Sequence, residues 1–164
     1  IDPLVIEIAN RNFSYLSRTP ATTETILGDA RLQLEVEPDQ KFDVLVIDAF
    51  SGDSVPIHLL TREAFAQYFR HLKADGVLAV HITNRFLDLQ PVVKAAAGQF
   101  GKDVRLVDFE GDRQRQIFRS RWALISGDPA FFAHPQLAQA TPIPSRPGFK
   151  IWQDDYSSIF AILM

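Results

Sequence analysis

The stretch Phe42-Asp43-Val44-Leu45-Val46-Ile47-Asp48 decides the fold. Its aliphatic run, residues 44–47, does not alternate with polar side chains, which predicts a central strand buried on both faces in a parallel sheet. Asp48 is the first polar residue after that run. Ligands of open α/β sheets bind beyond the carboxyl ends of the strands, so Asp48 has the position of a site residue. The alternative for the same carboxylate is a cap of the following turn.

Segments typical of helices and strands alternate on both sides of this strand. Asp2-Pro3 predicts a helix start, because Asp can cap free amides and Pro fits the first turn. A short strand is predicted at 25–27, ending at Gly28-Asp29-Ala30. The later predicted elements are a helix at 59–72, a strand at 77–82, a helix at 88–100 and strands at 104–109 and 122–125. This order predicts an α/β fold with a mostly parallel sheet and helices on both faces.

Composition limits the class of protein. The chain has 164 residues, of which 46% are hydrophobic and 23% charged, as expected for one globular domain. Its net charge is −3 with scattered Lys and Arg, which argues against nucleic acid as a partner. It has no cysteine. No apolar run approaches the ~20 residues of a membrane span, so we expect no membrane segment in this chain and a cytoplasmic location.

The histidines do not indicate a metal site, because the spacing of the four matches no known ligand motif. His81 differs from the others because it ends a predicted buried strand, close to Asn84. Either side chain could contact a substrate, or His81 could bond to a neighbouring backbone group. Ser51 and Ser54 lack the sequence context of a hydrolase nucleophile.

Three acids follow predicted strands in chain order: Asp2, Asp29 and Asp48. In a parallel sheet they would line one edge and could face a single ligand. The first suits ribose hydroxyls, the second an adenine amine, and the third an amine that must lose a proton. Each could instead be a cap, but their joint placement favours a site.

The beginning of the chain is unusual for such a fold. A doubly wound nucleotide-binding domain opens with a strand, a glycine-rich turn and a helix. Here Ile1-Asp2 reads as the end of a second strand, and Gly28 and Gly52 are isolated. We therefore expect a C-terminal portion of a domain, inactive alone, that forms a homo-oligomer through an exposed sheet edge.

Five segments resemble successive motifs of the spermidine synthase (polyamine aminopropyltransferase) family, most closely the bacterial spermidine synthase-like domains that are often fused to membrane segments. These segments are Ile1-Asp2-Pro3, Leu27 to Arg31, Phe42 to Asp48, Leu72 to Leu78 and Trp152 to Tyr156. The resemblance implies one domain over residues 1–164, with the Rossmann-like fold of class I S-adenosylmethionine methyltransferases.

The resemblance also implies a reaction and a set of site residues. The family transfers an aminopropyl group from decarboxylated S-adenosylmethionine to a polyamine such as putrescine, without a metal. By resemblance Asp48 is the catalytic acid. By resemblance Asp29, with Ala30 beside it, binds the adenine of the donor, and Pro56 and Asp53 lie on the loop that closes over the site, Pro56 toward the donor and Asp53 toward the acceptor. The ribose-binding acid of the family would precede Ile1, and Asp2 is its neighbour and substitute. His81 and Asn84 are assigned to the acceptor from their position after the predicted strand and not from the resemblance.

Two further functions fit the same fold. One is a methyltransferase that uses S-adenosylmethionine, although an acid-rich pocket favours a donor without a carboxylate. The other is a non-catalytic interaction domain. The chain departs from the family after two strands: the second acid of the loop, Asp53, comes five residues after Asp48, and His81, Thr83 and Asn84 stand where the family has a glutamine-rich motif.

Overall fold

A computed structural model describes residues 2–50 and 55–164 of the chain. The fold divides into two units, Ile1–Glu37 and Pro38–Met164.

The described part of the first unit, residues 2–37, contains three helices: α1 (Pro3–Asn12), α2 (Tyr15–Arg18) and α3 (Ala30–Val36). Asp2 caps α1 by accepting a hydrogen bond from the Leu4 amide at 2.8 Å, which confirms the predicted helix start. The strand predicted at 25–27 is wrong, since these residues have no regular structure. A strand is stabilised by pairing, and no described segment pairs with these residues.

The second unit is built on a five-stranded sheet with helices and short 3-10 turns between its strands. The strands are β1 (Phe42–Ile47), β2 (Leu72–His81), β3 (Asp103–Phe109), β4 (Ser120–Ser126) and β5 (Thr141–Pro142). The helices are α4 (Arg62–His71), α5 (Gln90–Gln99) and α6 (Pro129–Phe132), and the 3-10 turns are Ile57–Leu59, Pro135–Leu137 and Ile159–Ile162.

The sheet is mixed, with the strand order β1-β2-β4-β3-β5. Among the strands of the described residues, only β1 and β2 pair in parallel, whereas β4 is antiparallel to both β2 and β3, and β5 is antiparallel to β3. The predicted α/β class is therefore confirmed, but the description of the sheet as mostly parallel is wrong. Residues 110–119 are too short a connection for a parallel crossover, so β4 returns as a hairpin and inserts between β2 and β3.

Strand β1 occupies an edge of this sheet. Among the described residues it pairs with β2 alone, and the Val44 and Val46 side chains are 56% and 52% exposed. The expectation of a central strand buried on both faces is therefore wrong for this chain. An unbroken aliphatic run indicates a strand, but burial of its second face depends on which other segments cover it.

Helix α4 is joined to the C-terminal part of the chain. Thr61 caps it by accepting from the Ala64 amide at 3.3 Å. The Thr61 hydroxyl in turn donates to Asp154 Oδ1 at 2.7 Å, and the Arg62 amide donates to the Trp152 carbonyl at 2.9 Å. The motif Trp152 to Tyr156 therefore fixes the N-terminus of the helix that follows the loop after β1.

The core of the second unit lies between the sheet and helices α4 and α5. Phe65 and Tyr68 of α4 and Val92 and Val93 of α5 are buried, and the Tyr68 hydroxyl donates to the Leu59 carbonyl at 3.1 Å. In residues 2–50 and 55–164, no helix combines the length and apolar character needed to cross a membrane.

Candidate active site

Asp48 and His81 meet at the carboxyl ends of the two parallel strands. The register pairs Ile47 of β1 with Val80 of β2. The residues that follow them, Asp48 and His81, therefore lie side by side. Asp48 Oδ1 and His81 Nδ1 are 2.7 Å apart, a hydrogen bond between an exposed carboxylate and a largely buried imidazole (side chains 54% and 20% exposed). This edge of the sheet is where α/β folds place their ligands.

The His81 ring is held on several sides by its neighbours. The antiparallel register of β2 and β4 sets Trp122 opposite His81, and the two rings stack at a centroid distance of 4.4 Å with 7° between their planes. Phe50 contacts the imidazole edge-on at 4.9 Å. His81 Nε2 lies 2.6 Å from Thr83 Oγ1, which also accepts a hydrogen bond from the Arg121 amide at 2.8 Å.

Asp48 and His81 are predictable from the sequence, whereas the residues that contact His81 are not. Phe50 and Trp122 carry no signal of their own in the sequence, because they contact His81 through loop geometry and strand register. Thr83 is separated from His81 by one residue, and this short spacing was the available clue. Trp122 could not be assigned a partner until β4 was known to lie next to β2.

The other predicted site residues of the second unit are Asn84, Pro56 and Asp53. Asn84 Oδ1 accepts from the Phe86 and Leu87 amides at 2.9 and 2.8 Å, which closes the turn after β2. Pro56 immediately precedes the 3-10 turn Ile57–Leu59. Asp53 falls outside the described residues. The acceptor and donor contacts proposed for these three residues stay predictions.

The predicted donor-binding residues of the first unit lie at helix starts. Asp29 caps α3 through Oδ1, which accepts from the Arg31 and Leu32 amides at 3.0 and 3.1 Å, and Ala30 is the first residue of that helix. Asp2 has the same role for α1. The capping alternative is thus realised at both acids, and their roles toward a ligand stay predictions.

No group of three or more His, Asp or Glu side chains within residues 2–50 and 55–164 is arranged to hold a metal ion. The arrangement at the sheet edge offers a carboxylate acceptor, held by an imidazole, to a proton-bearing ligand.

The fold is that of the methyltransferase-like α/β proteins to which the spermidine synthases belong. Three spermidine synthase structures resemble it at 18–19% sequence identity, which shows the fold alone. A probable enzyme from Corynebacterium glutamicum has a TM-score of 0.55, covering 81% of this chain and 55% of its own. The Thermotoga maritima enzyme has a TM-score of 0.53 (94% and 52%), and a complex with the transition-state analogue AdoDATO has 0.56 (94% and 53%).

Sequence comparison finds polyamine aminopropyltransferases of two other bacteria. A polyamine aminopropyltransferase of Vibrio vulnificus is 36% identical over 83 residues, which are 49% of this chain, and a probable polyamine aminopropyl transferase of Bifidobacterium longum is 28% identical over 127 residues, or 74%. The match spans 27% of the length of each relative. No family model matches the chain. The chain is spermidine synthase-like in sequence and fold, and the resemblance inferred from its motifs is confirmed.

Proposed function

We propose that this protein transfers an aminopropyl group from decarboxylated S-adenosylmethionine to an amine of a polyamine such as putrescine. The observation that carries the proposal is the Asp48 carboxylate, which is exposed at the end of β1 and bonded to His81 at 2.7 Å. Its support from outside the chain is the sequence similarity to polyamine aminopropyltransferases of two bacteria.

The reaction requires little covalent chemistry from the protein. The amine nitrogen attacks the methylene carbon bonded to the sulfonium, a C–N bond forms, and the C–S bond breaks with its electron pair moving to sulfur. The products are a neutral thioether, methylthioadenosine, and an ammonium ion that must lose a proton. Asp48 accepts the proton of the attacking amine, and binding of both reactants holds the nitrogen in line with the breaking C–S bond.

The remaining site residues have roles in binding. Asp29, with Ala30 beside it, contacts the adenine amine: one oxygen caps α3, and a carboxylate has further lone pairs for a second donor. Asp2 receives the ribose hydroxyls. Pro56 and Asp53 belong to the segment that follows Asp48, and Asn84 lies on the acceptor side. A cytoplasmic location and a homo-oligomeric state belong to the same proposal.

A donor comparison tests this proposal. The full-length protein is purified and incubated with a panel of diamines and either decarboxylated S-adenosylmethionine or S-adenosylmethionine, and methylthioadenosine and the alkylated amine are measured by mass spectrometry. We expect methylthioadenosine and aminopropylated amine from the decarboxylated donor alone. Methylated product from the second donor would replace the proposal with a methyltransferase. Absence of any product from a folded protein would favour a non-catalytic interaction domain.

A further inference from the structure

We infer that His81 is a positioning residue that orients the Asp48 carboxylate toward the reacting amine. The inference rests on the proposed function, because it assigns a role within that reaction. It starts from a continuous chain of hydrogen bonds that joins the backbone of β4 to Asp48: from the Arg121 amide to Thr83, from Thr83 to His81, and from His81 to Asp48.

The acceptor at one end and the donor at the other set the direction of these bonds. An ionised carboxylate can only accept, so His81 Nδ1 carries a proton and donates to Asp48 Oδ1. At the other end Thr83 Oγ1 accepts from the Arg121 amide, which leaves its hydroxyl proton to be donated to His81 Nε2. Each bond is then satisfied by a neutral imidazole protonated on Nδ1.

A doubly protonated ring fits this chain of bonds less well. It would donate from Nε2 to the Thr83 oxygen that already accepts the Arg121 amide, and the Thr83 hydroxyl proton would have no place between these groups. The arrangement therefore selects one tautomer, as the second hydrogen bond of a histidine commonly does.

The same contacts exclude His81 as the group that takes the amine proton. Its Nε2 is the nitrogen able to accept, and that nitrogen is already bonded to Thr83 at 2.6 Å. Asp48 Oδ2, in contrast, makes no hydrogen bond to any described residue. The proton acceptor is thus Asp48, and His81 acts through it.

The aromatic neighbours make this support rigid. The imidazole lies flat on Trp122 and meets the edge of Phe50, so its position is set by packing before any ligand arrives. Asp48 itself is more than half exposed and, without the bond from His81, could adopt several rotamers. A fixed acceptor costs no reorganisation at the moment of proton transfer.

Two substitutions separate the hydrogen bond from the packing. His81→Phe keeps a ring between Trp122 and Phe50 but removes both nitrogens, and we expect kcat to fall about 10- to 100-fold with a KM for the amine within about threefold of wild type, as for the loss of other orienting partners. His81→Asn restores a donor near the position of Nδ1 and should recover part of kcat. Thermal unfolding of each variant checks that it is folded.

His134 offers the matched control. This exposed histidine also uses Nδ1, accepting from the Gln136 amide at 3.3 Å, and it precedes the 3-10 turn Pro135–Leu137, outside the strands that form the site. His134→Phe should leave kcat and KM unchanged. A kcat for His81→Phe equal to wild type would overturn the inference and leave the proposed function standing.

Nitrogen NMR tests the arrangement without turnover. In the ¹⁵N-labelled 164-residue chain near neutral pH, the ring nitrogens of His81 should show a protonated Nδ1 and an unprotonated Nε2. A neutral ring protonated on Nε2 would overturn the inference, since it cannot donate to Asp48. If the wild type gives no product with any donor, the proposed function fails, while the NMR result still decides whether His81 holds Asp48 in this way.

Discussion

The Asp29 carboxylate caps a helix and is also proposed to bind the adenine amine of the donor. As the N-cap of α3 it satisfies two amides of the first helical turn, which side-chain oxygens of Asp and Asn do about equally well. Recognition of an adenine amine would instead depend on the negative charge. A single substitution can therefore separate helix capping from adenine recognition.

We expect Asp29→Asn to preserve stability and weaken ligand binding. The free energy of unfolding should stay within about 0.5 kcal/mol of wild type, because the cap is retained. The affinity for methylthioadenosine should fall by roughly 1.5–3 kcal/mol for the lost charge-assisted bond, about tenfold or more in Kd by calorimetry.

Asp128 supplies the control for this measurement. It caps α6 through a bond from the Ala130 amide at 2.8 Å and has no proposed contact with a ligand. Asp128→Asn should change neither stability nor affinity. If Asp29→Asn binds methylthioadenosine like Asp128→Asn, Asp29 is a cap alone.

At the scale of elements, the antiparallel β3–β4 hairpin makes the sheet mixed. The same hairpin carries a cluster of charged side chains. Asp108 of β3 accepts from Arg119 at 2.8 and 3.2 Å and from Arg121 at 2.9 Å. The hydrogen bond from Arg119, followed by that from Arg121, lowers the pKa of the Asp108 carboxyl below its ordinary value of 3.8. The ionised form is therefore favoured by folding.

This shift gives a pH-dependent contribution to stability. A carboxyl whose pKa is lower in the folded state stabilises the fold above its unfolded pKa, and the contribution is lost as pH falls through the folded value. We expect Asp108→Asn to cost about 0.5–1 kcal/mol at pH 7, the scale of a partly exposed ion pair, and the difference from wild type to shrink progressively as the pH falls below 3.8.

Urea denaturation at pH 7 and at several values below pH 4 measures this effect. Asp155→Asn, at an exposed position, serves as the control and should match wild type throughout. A cost of Asp108→Asn that persists unchanged into acid would mean that packing, and not the charge, is responsible.

The elements could be predicted from sequence to the extent that their signals are local. The caps at Asp2 and Thr61 and the aliphatic runs of β1 and β2 act over a few residues, and the corresponding helices and strands occur. The strand predicted at 25–27 does not form, because strand pairing depends on partners that are distant in the sequence. The insertion of β4 between β2 and β3 is equally non-local, and it made the sheet mixed.

The site residues, too, could be predicted only where their signals are local. Asp48 and His81 are each predictable as polar residues at strand ends. That these ends are neighbours follows from the parallel pairing of β1 and β2. Their hydrogen bond required the exact register. The stack on Trp122 required the position of β4, which nothing in the local sequence specifies.

At the scale of the whole molecule, the apolar core belongs to one unit. Every buried apolar residue among those described lies between Ile47 and Ile162, whereas the buried residue of the first unit is the charged Arg31. Burial of apolar surface is the main favourable term in folding. The second unit, Pro38–Met164, therefore contains the interactions that stabilise the sheet.

We expect a chain of residues 38–164 to fold on its own. It should unfold in one cooperative urea transition, with a midpoint close to that of the 164-residue chain, when followed by circular dichroism and by Trp fluorescence. Noncoincident transitions of the two probes, or no transition, would show that the first unit is required for the sheet.

The central claim is that Asp48 accepts the proton of the amine during aminopropyl transfer. Asp48→Asn tests it most directly, because the amide oxygen can still accept from His81 Nδ1 while the group loses its basicity. Asp43→Asn is the matched control on the same strand, where Asp43 is 80% exposed and pairs with Lys73.

The measurement, made on the full-length protein, is the rate of methylthioadenosine formation from decarboxylated S-adenosylmethionine and a diamine, with thermal unfolding recorded for each variant. We expect Asp48→Asn to reduce turnover by about 100-fold or more, the scale of a positioned general base, with an unchanged unfolding midpoint, and Asp43→Asn to match wild type. Turnover by Asp48→Asn within a few-fold of wild type would contradict the account and remove Asp48 from the mechanism.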